Sequence, residues 1–411
     1  MASTDVFFGE LLVCDNLIKY VGPKCDLDVA IDRIIDCDGN LLMPGFKNAH
    51  AHTAMVFGRS ASDDLNLHDW LFNVMFPMEE GFRKDDIYHL TKSGILEYLS
   101  CGITAAFDMY FTQPEAKRSY EDMGFRAVLL ATSLNDSVSL IKERYLDWNK
   151  PNSLISYRLG IHAEYTTPLE RIKEIAKLAN ELHAPIYLHV GETENEVKEC
   201  VDKYKFRPIE FLDSLGLFNY GGGGFHCIYL SDKEVEICKR RNIHIITCPA
   251  CNLKLASGIA PLVKYQKAGL NIAIGTDGAS SNNSLDMFKE MYLASTLQKV
   301  VNKDSSMMNG IDVLKMATVN SAKAMGLDNC DILAKDKYAD IIMIDLKNPA
   351  MQPINNIPKN IVYAGSKDIV KMTMINGKIL YYNREFLLNE NIDDIYNKTQ
   401  EITNRLRGIN G

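Results

Sequence analysis

No run of 18 consecutive apolar residues occurs in this 411-residue chain, so the sequence predicts no membrane-spanning helix. The first residues, MASTDVFFGELLVCD, contain no basic side chain and no long apolar core, and both are needed in a signal peptide. The 10 cysteines are scattered along the chain, which is typical of reduced thiols rather than of a disulfide framework. We therefore expect a cytoplasmic protein with no membrane partner.

Basic residues are also too few for a general nucleic-acid-binding protein. The chain has 45 lysines and arginines against 53 acidic residues, a net charge of −8, whereas nucleic acids require a basic face. A hydrophobic fraction of 46% and a charged fraction of 24% are typical of globular domains. At about 100–200 residues per domain, the length predicts two domains, or one large barrel with an accessory unit.

Short apolar segments alternate with segments of helical periodicity through the middle of the chain. The apolar segments are LLMPGFKNAH (41–50), GITAAFDMY (102–110), FRAVLLATS (125–133), YRLGIHAEY (157–165), APIYLHVGE (184–192), GGFHCIYL (223–230), NIHIITCP (242–249) and LNIAIGTDG (270–278). Eight strands alternating with helices predict an α/β fold, a (β/α)₈ TIM-like barrel.

The two ends of the chain have a different pattern. Residues 9–43 and 336–385 contain short strand signals, and neither part has enough strands for a stable sheet. We therefore predict that they pair into one small composite β-domain beside the barrel. The predicted division is 1–43 for the first part of the β-domain, 44–328 for the barrel, 329–391 for the second part of the β-domain, and 392–411 for a C-terminal helical tail.

Histidine and aspartate side chains collect at the carboxyl ends of four predicted strands. His50 and His52 point the same way because residues i and i+2 share a face of a strand. His189, His226 and Asp277 lie near the ends of the fifth, sixth and eighth strands, on the face where barrel enzymes have their sites. Each residue alone is more often a packing or turn residue. Their common location predicts a site for zinc or ferrous iron.

Other polar motifs are less specific. Glu192 follows His189 in the motif HVGE, where a carboxylate can carry protons for a metal-activated water, although a solvated loop glutamate is the alternative. Cys248 and Cys251 form a single CxxC, and a structural zinc would need a second pair. We expect these cysteines to line a wall near the site. The histidines predicted to be surface or packing residues are His68, His89, His183 and His244.

Several motifs resemble the amidohydrolase superfamily. They are HAH, LHVGETENE, GFHCIYL, CNLKLASGIAP and GTDGASSNNSLDMF. Within the superfamily, the chain is similar to the deaminases of 5′-methylthioadenosine and S-adenosylhomocysteine, and to chlorohydrolase and guanine deaminase relatives. The resemblance covers nearly the whole chain, including ATVNSAKAMGL (317–327) and KYADIIMIDL (337–346), which mark the return to a composite β-domain in this family.

The resemblance implies a single divalent metal, zinc with ferrous iron as the alternative. The implied ligands are His50, His52, His189 and Asp277. Two-metal relatives carry a bridging lysine or glutamate at the end of the third or fourth strand. Here those ends read LLATS and GIHAEY, where no lysine occurs and Glu164 is a poor match, so we expect a mononuclear site.

The resemblance also implies hydrolytic deamination at purine C6, with release of ammonia. Glu192 would move a proton from the attacking water to the ring, His226 would bind the hydroxide, and Asp277 would help to deprotonate the water. The implied substrate-binding residues are Trp70, Glu79, His162 and Glu192. Their structural alternatives are a packing tryptophan, a surface glutamate, a core histidine and a loop glutamate.

The chain departs from its relatives in the segment after the third strand. Relatives that accept S-adenosylhomocysteine use arginines there for the carboxylate, whereas this segment has only Arg144, inside a predicted helix. This favours methylthioadenosine or adenosine. Many relatives have histidine where this chain has Thr247, and the first β-strand of the family is not evident before GELLVCD.

Two other functions remain open from the sequence. The same fold could act on another ring, such as guanine or a chlorinated triazine, or it could be a non-catalytic scaffold. The presence of every implied metal ligand argues against a scaffold, and Trp70 with Glu79 favours a nucleoside. The expected partner is a small purine nucleoside rather than a nucleic acid, and the sequence is compatible with a homo-oligomer.

Overall fold

The computed structural model describes residues 6–26, 29–111, 113–132 and 135–408. Ser133, in the strand predicted over 125–133, lies outside the described residues, as do residues 1–5 and 409–411 of the predicted terminal segments. The strands are β1 (Glu10–Cys14), β2 (Leu17–Gly22), β3 (Leu41–Pro44), β4 (Phe46–Ala51), β5 (Ile103–Asp108), β6 (Arg126–Ala131), β7 (Ile155–Gly160), β8 (Ile186–Val190), β9 (Gly222–His226), β10 (Ile243–Thr247), β11 (Ile272–Ile274), β12 (Ile341–Ile344), β13 (Val370–Ile375), β14 (Lys378–Tyr382) and β15 (Glu385–Phe386).

Helices follow most of the strands. The α-helices are α1 (Leu67–Trp70), α2 (Phe76–Glu79), α3 (Asp86–Ser100), α4 (Gln113–Asp122), α5 (Val138–Trp148), α6 (Leu169–Leu182), α7 (Glu194–Tyr204), α8 (Pro208–Ser214), α9 (Asp232–Arg241), α10 (Pro249–Lys254), α11 (Leu262–Lys267), α12 (Ala279–Asn282), α13 (Met287–Asn302), α14 (Gly310–Met316), α15 (Val319–Met325), α16 (Ile357–Tyr363) and α17 (Ile392–Leu406). A π-helical segment (Leu71–Met75) joins α1 to α2, and 3-10 helices cover Thr53–Gly58, Pro349–Met351 and Lys367–Ile369. None of the helices among the described residues combines the length and apolar character that crossing a membrane requires.

The strands β4 to β11 form one parallel sheet in sequence order, nearly closed into a barrel. Each of the eight predicted strand segments overlaps one of these strands, so the predicted (β/α)₈ barrel is confirmed. Its strands are buried along almost their whole length, as near-continuous apolar runs require when helices cover the outer face.

The first predicted strand segment, residues 41–50, is not a single strand. It breaks at Gly45, so that β3 pairs with β12 in another sheet while β4 begins the barrel. The break needs glycine because a Cβ at this position would lie 2.1 Å from Thr104 Cγ2. The periodicity of side chains does not reveal such a change of partner.

The edges of the barrel sheet meet at a seam between β4 and the end of β11. The backbone N–H groups of Thr276 and Asp277 both donate to His50 O, at 3.1 and 3.0 Å. Across the same seam, Asn48 Oδ1 accepts from the Thr276 N–H at 2.9 Å, and Asn48 Nδ2 donates to Thr276 Oγ1 at 2.7 Å. The seam therefore holds the backbones of His50 and Asp277 side by side.

Both ends of the chain contribute to antiparallel sheets beside the barrel. β3 joins β12 to β15 in a five-stranded sheet, and β1 and β2 form a separate hairpin that bridges to Tyr338 through Leu17. Asn376 and Gly377 have φ of 52° and 79°, which suits the tight turn between β13 and β14. The composite β-domain is observed, and the predicted boundaries at 43, 328 and 391 stay a prediction.

A buried ion pair connects the barrel to the five-stranded sheet. Arg126, the first residue of β6, donates from Nε to Asp340 Oδ2 at 2.7 Å and from Nη2 to Oδ1 at 3.0 Å. Asp340 Oδ1 also accepts from the Asn376 N–H at 2.9 Å, and Lys47 Nζ lies 3.9 Å from Oδ2. Burial would raise the pKa of Asp340, but the attraction of Arg126 and Lys47 outweighs it and lowers the pKa.

We expect Asp340→Asn to destabilise the protein by about 3–5 kcal/mol, because Arg126 would remain buried without its counter-charge. Urea unfolding would measure the loss. The matched control is Glu401→Gln, which removes an exposed ion pair with Lys398 on α17 and should leave the urea midpoint unchanged. Equal midpoints for the two variants would contradict this role of Asp340.

Candidate metal centre and cleft

Four of the five residues predicted at the carboxyl rim of the barrel are held by strand ends, and the fifth follows β11. His50 lies in β4 and His52 directly after it, His189 is in β8, and His226 is the last residue of β9. Asp277 follows β11 with a φ of 61°. Successive strands of a closed parallel sheet end at one rim, so residues far apart in the chain share one small volume.

The side chains of this group converge on one another. Asp277 Oδ1 lies 3.1 Å from His52 Nε2 and 3.3 Å from His50 Nε2. His189 Nε2 lies 3.2 Å from His50 Nε2. His50, His189, His226 and Asp277 each offer one ligand atom within 4.8 Å of the others. His226, which the sequence assigns to substrate chemistry, therefore lies within reach of the same cluster as three of the predicted ligands.

Backbone carbonyls fix the orientation of two imidazoles. His52 Nδ1 lies 2.6 Å from Met109 O, and His189 Nδ1 lies 2.9 Å from His162 O. A carbonyl oxygen only accepts, so each Nδ1 carries the proton and donates it. Each Nε2 then presents a lone pair to the cluster, which is the arrangement of a metal-binding histidine.

The charges in the cluster suit a cation. Burial lowers the pKa of His50 to about 3 and holds that of His189 well below its usual range, so these imidazoles are neutral. Burial would raise the pKa of Asp277, but contact with His50 and His52 lowers it, so the carboxylate is ionised. The neutral imidazoles of His50 and His189 and the carboxylate of Asp277 are ligand forms that a divalent metal such as zinc binds.

A sequence model of the amidohydrolase family matches residues 41–380 of this chain. The chain belongs to the amidohydrolase family. The resemblance predicted from HAH and the later motifs is thus confirmed, and with it the class of hydrolytic enzyme.

Two amidohydrolase relatives are similar over most of their length. A 5-methylthioadenosine/S-adenosylhomocysteine deaminase of Pyrococcus furiosus is 36% identical over 388 residues, covering 92% of each chain. The protein of the same name from Acetivibrio thermocellus is 37% identical over 395 residues, which cover 93% of this chain and 92% of the relative.

Solved structures of amidohydrolases share the fold. An adenosine deaminase from Xanthomonas campestris with bound zinc has a TM-score of 0.92 and 31% identity, covering 97% of this chain and 93% of its own. An atrazine chlorohydrolase from Arthrobacter aurescens complexed with zinc has a TM-score of 0.87 at 20% identity, covering 96% and 94%. The donor atoms and the charge of the His and Asp cluster therefore suit a divalent metal, and a relative of the same fold has zinc bound.

A cleft of about 620 Å³, counted to its open mouth, lies above the cluster. Its lining includes all four predicted substrate-binding residues, Trp70, Glu79, His162 and Glu192, together with His52, His189, His226 and Asp277. His50 is fully buried beneath the cleft.

Glu192 is held at the floor of the cleft by a neighbouring glutamate. Its backbone N–H donates to Glu196 Oε2 at 2.7 Å, and the Gly191 N–H donates to Glu196 Oε1 at 2.6 Å. Glu196 also completes a capping box with Thr193 at the start of α7. Burial raises the pKa of Glu192, which suits a group that takes up and releases a proton. Glu196 was not predicted from the sequence, although TENE (193–196) carries the capping signal that identifies it.

Glu79 also has a partner that the sequence does not indicate. Tyr110, two residues after β5, donates from its hydroxyl to Glu79 Oε1 at 2.7 Å. Burial raises the pKa of Glu79 to about 7, although the hydrogen bond from Tyr110 lowers this pKa.

Trp70 is 5% exposed, and its Nε1 has no hydrogen-bond partner among the described residues. His162 Nδ1 lies 2.7 Å from Thr166 Oγ1.

The remaining features named from the sequence lie outside the cleft lining. Arg144 is inside α5, where Nη1 donates to Asp136 Oδ2 at 2.6 Å and to Gln113 Oε1 at 2.8 Å. Cys248 and Cys251 are fully buried, close to the site. Thr247 ends β10, and nothing in the structure explains why it replaces the usual histidine.

We expect His189→Ala to lose bound metal, because it removes a lone pair from the centre of the cluster. Elemental analysis after dialysis against a weak chelator would measure the metal-to-protein ratio. His68→Ala is the control, because the His68 side chain is 73% exposed and is not part of the cluster. This variant should retain the metal. Undiminished metal in His189→Ala would argue that another group holds it.

Proposed function

We propose that this chain is a metal-dependent deaminase of adenosine-type nucleosides, acting on 5′-methylthioadenosine, adenosine or S-adenosylhomocysteine. The observation that carries the proposal is the placement of Glu192 and His226 beside the His and Asp cluster at the floor of one cleft. Relatives at 36% and 37% identity that are named as deaminases of this kind support it.

We propose zinc as the metal, held by His50, His52, His189 and Asp277. The zinc-bound Xanthomonas relative, at 31% identity, supports this choice. When bound, the metal would acidify a water molecule and so supply a nucleophile near neutral pH. The cytoplasmic location and a homo-oligomeric state stay predictions.

Glu192 is the proton carrier in this proposal. It takes a proton from the attacking water and delivers it to N1 of the purine while the water oxygen adds to C6. A second proton then moves to the amino group, the C6–N bond breaks and ammonia leaves, so the product carries a 6-oxo group. The raised pKa of Glu192 favours both uptake and release of the proton.

His226 orients the water. Its Nδ1 lies 2.8 Å from Asn252 Oδ1 and donates to it, so Nε2 faces the cleft with a lone pair. That nitrogen lies 3.8 Å from Glu192 Oε2, which leaves room for a reacting atom between the two side chains. Asp277, ionised at the edge of the same space, helps to deprotonate the water.

We propose that the upper cleft binds the nucleoside. Glu79 would accept hydrogen bonds from the ribose hydroxyls, with Tyr110 holding one carboxylate oxygen in place. Trp70 would pack against the nucleoside or its 5′ substituent, and His162 would contact the base. All four line the same cleft.

The mouth of the cleft favours an uncharged 5′ group. Phe111 and Tyr165 lie at the mouth, 40% and 36% exposed, and no arginine or lysine lines the cleft among the described residues. A neighbouring cavity that shares Glu79 and Phe111 with the cleft is lined by Arg83 and Lys84 but also by Asp85 and Glu115, so it offers no excess of positive charge to a carboxylate. We therefore propose methylthioadenosine or adenosine as the preferred substrate, with S-adenosylhomocysteine weaker.

We expect the zinc-loaded protein to deaminate methylthioadenosine and adenosine, and Glu192→Gln to lose about 10²–10⁴-fold in kcat because the amide cannot carry the proton. Ammonia release, together with the ultraviolet change of the adenine ring, would measure turnover. Glu192→Gln should still bind the metal.

Glu194→Gln is the control for this variant, because Glu194 is exposed two residues away on α7 and should keep wild-type activity. Guanine and a chlorinated triazine complete the substrate panel. Turnover of either ring without turnover of the adenosine compounds would replace the proposed function. A Glu192→Gln rate close to wild type would remove Glu192 from the mechanism.

Above the Glu79 pKa of about 7, where its carboxylate is charged, we expect Glu79→Gln to raise KM for adenosine by about 10- to 100-fold, because hydrogen bonds to a charged group contribute about 1.5–3 kcal/mol. Steady-state kinetics would give KM and kcat separately, and kcat should change less. The test of specificity is 2′,3′-dideoxyadenosine, which lacks the hydroxyls. A similar rise in KM for this analogue would show that Glu79 does not bind the ribose.

A further inference from the structure

A second group of potential metal ligands overlaps the first cluster at His226. Glu192, His226 and Cys251 each offer one ligand atom, and these atoms all lie within 4.8 Å of one another. The three residues come from separate elements, since Glu192 follows β8, His226 ends β9 and Cys251 lies in α10. All three side chains are buried, so the group belongs to the protein interior and is not a chance cluster on the surface.

The spacing of this group suits a tetrahedral ion. His226 Nε2 and Glu192 Oε2 are 3.8 Å apart, which is too far for a hydrogen bond. Zinc bonds of about 2.0–2.3 Å in a tetrahedron place neighbouring ligand atoms roughly 3.4–3.6 Å apart. A closure of a few tenths of an ångström would therefore bring both atoms onto one ion.

The chemistry of the group is also suitable. Because Nδ1 of His226 donates to Asn252 Oδ1 at 2.8 Å, Nε2 offers its lone pair. Cys251 would lose its thiol proton to solvent as its sulfur binds the ion. One thiolate and one carboxylate then balance the two positive charges, so the occupied group is neutral within the protein interior.

We propose that Glu192, His226 and Cys251 form a second, inhibitory site for zinc or another divalent cation that favours sulfur. This inference rests on the proposed deaminase function. An ion there would take the Glu192 carboxylate and the His226 lone pair away from the substrate and its water. Repulsion from the first cation makes the second site the weaker one, so inhibition appears only when free zinc exceeds what the first site needs.

Cys248 provides a matched control. It is as fully buried as Cys251 and lies three residues earlier, at the start of α10, but it is not part of the group. Ser can replace either thiol with little change in size. Cys251→Ala serves as a second variant if Cys251→Ser does not fold.

The first test is inhibition by zinc, with each protein compared with its own rate at one equivalent of metal. Wild type and Cys248→Ser should lose activity at the same free zinc concentration. The free zinc concentration for half-inhibition of Cys251→Ser should be at least about tenfold above that of wild type, because this variant lacks the sulfur ligand. Equal sensitivity of all three proteins would overturn the proposal.

The second test uses cobalt and does not depend on turnover. The first group of ligands has no sulfur, so a sulfur-to-cobalt charge-transfer band should appear only with the second equivalent of Co²⁺. The band should be present in Cys248→Ser and absent from Cys251→Ser. A second equivalent that binds wild type without this band would overturn the proposal. Absence of deaminase activity at every zinc concentration would instead refute the proposed function, while the cobalt band still tests the site.

Discussion

The Asp277 carboxylate is buried at the rim of the barrel between two imidazoles, with Oδ1 3.1 Å from His52 Nε2 and 3.3 Å from His50 Nε2. An ionised carboxylate is costly to bury unless partners or a metal compensate its charge. Much of the surrounding structure serves this placement. The seam hydrogen bonds to His50 O hold Asp277 beside β4, and Asn48 holds the adjoining Thr276. Cation binding therefore completes an arrangement that the barrel closure imposes.

Around the Asp277 carboxylate, residues that hold their neighbours by hydrogen bonds set the orientation of the side chains at the rim and in the cleft. Two carbonyl oxygens, of Met109 and His162, orient His52 and His189. Glu196 holds the loop that carries Glu192, and Tyr110 holds Glu79. These acceptors and donors select the tautomers and rotamers of the side chains that line the rim and the cleft.

Much of the fold follows from local pattern. Near-continuous apolar strands alternating with helices identified the barrel, because burial on both faces leaves that mark on sequence. His50 and His52 were recognisable because strand residues two apart share a direction. The change of sheet at Gly45 was missed, since it depends on the close approach of Thr104 from another strand. Tyr110 and Asn252 were missed as partners for the same reason, because each bonds a residue distant in the chain.

The sequence by itself determined the barrel fold and the family, because periodicity, residue type and motif spacing are local properties. Only the tertiary structure decided which atoms meet. It placed a ligand atom of His226 within 4.8 Å of those of His50, His189 and Asp277, and it distinguished Cys251 from Cys248, two thiols that the sequence treats alike. Such differences arise from the closure of the barrel, which sets distances between residues that no spacing along the chain encodes.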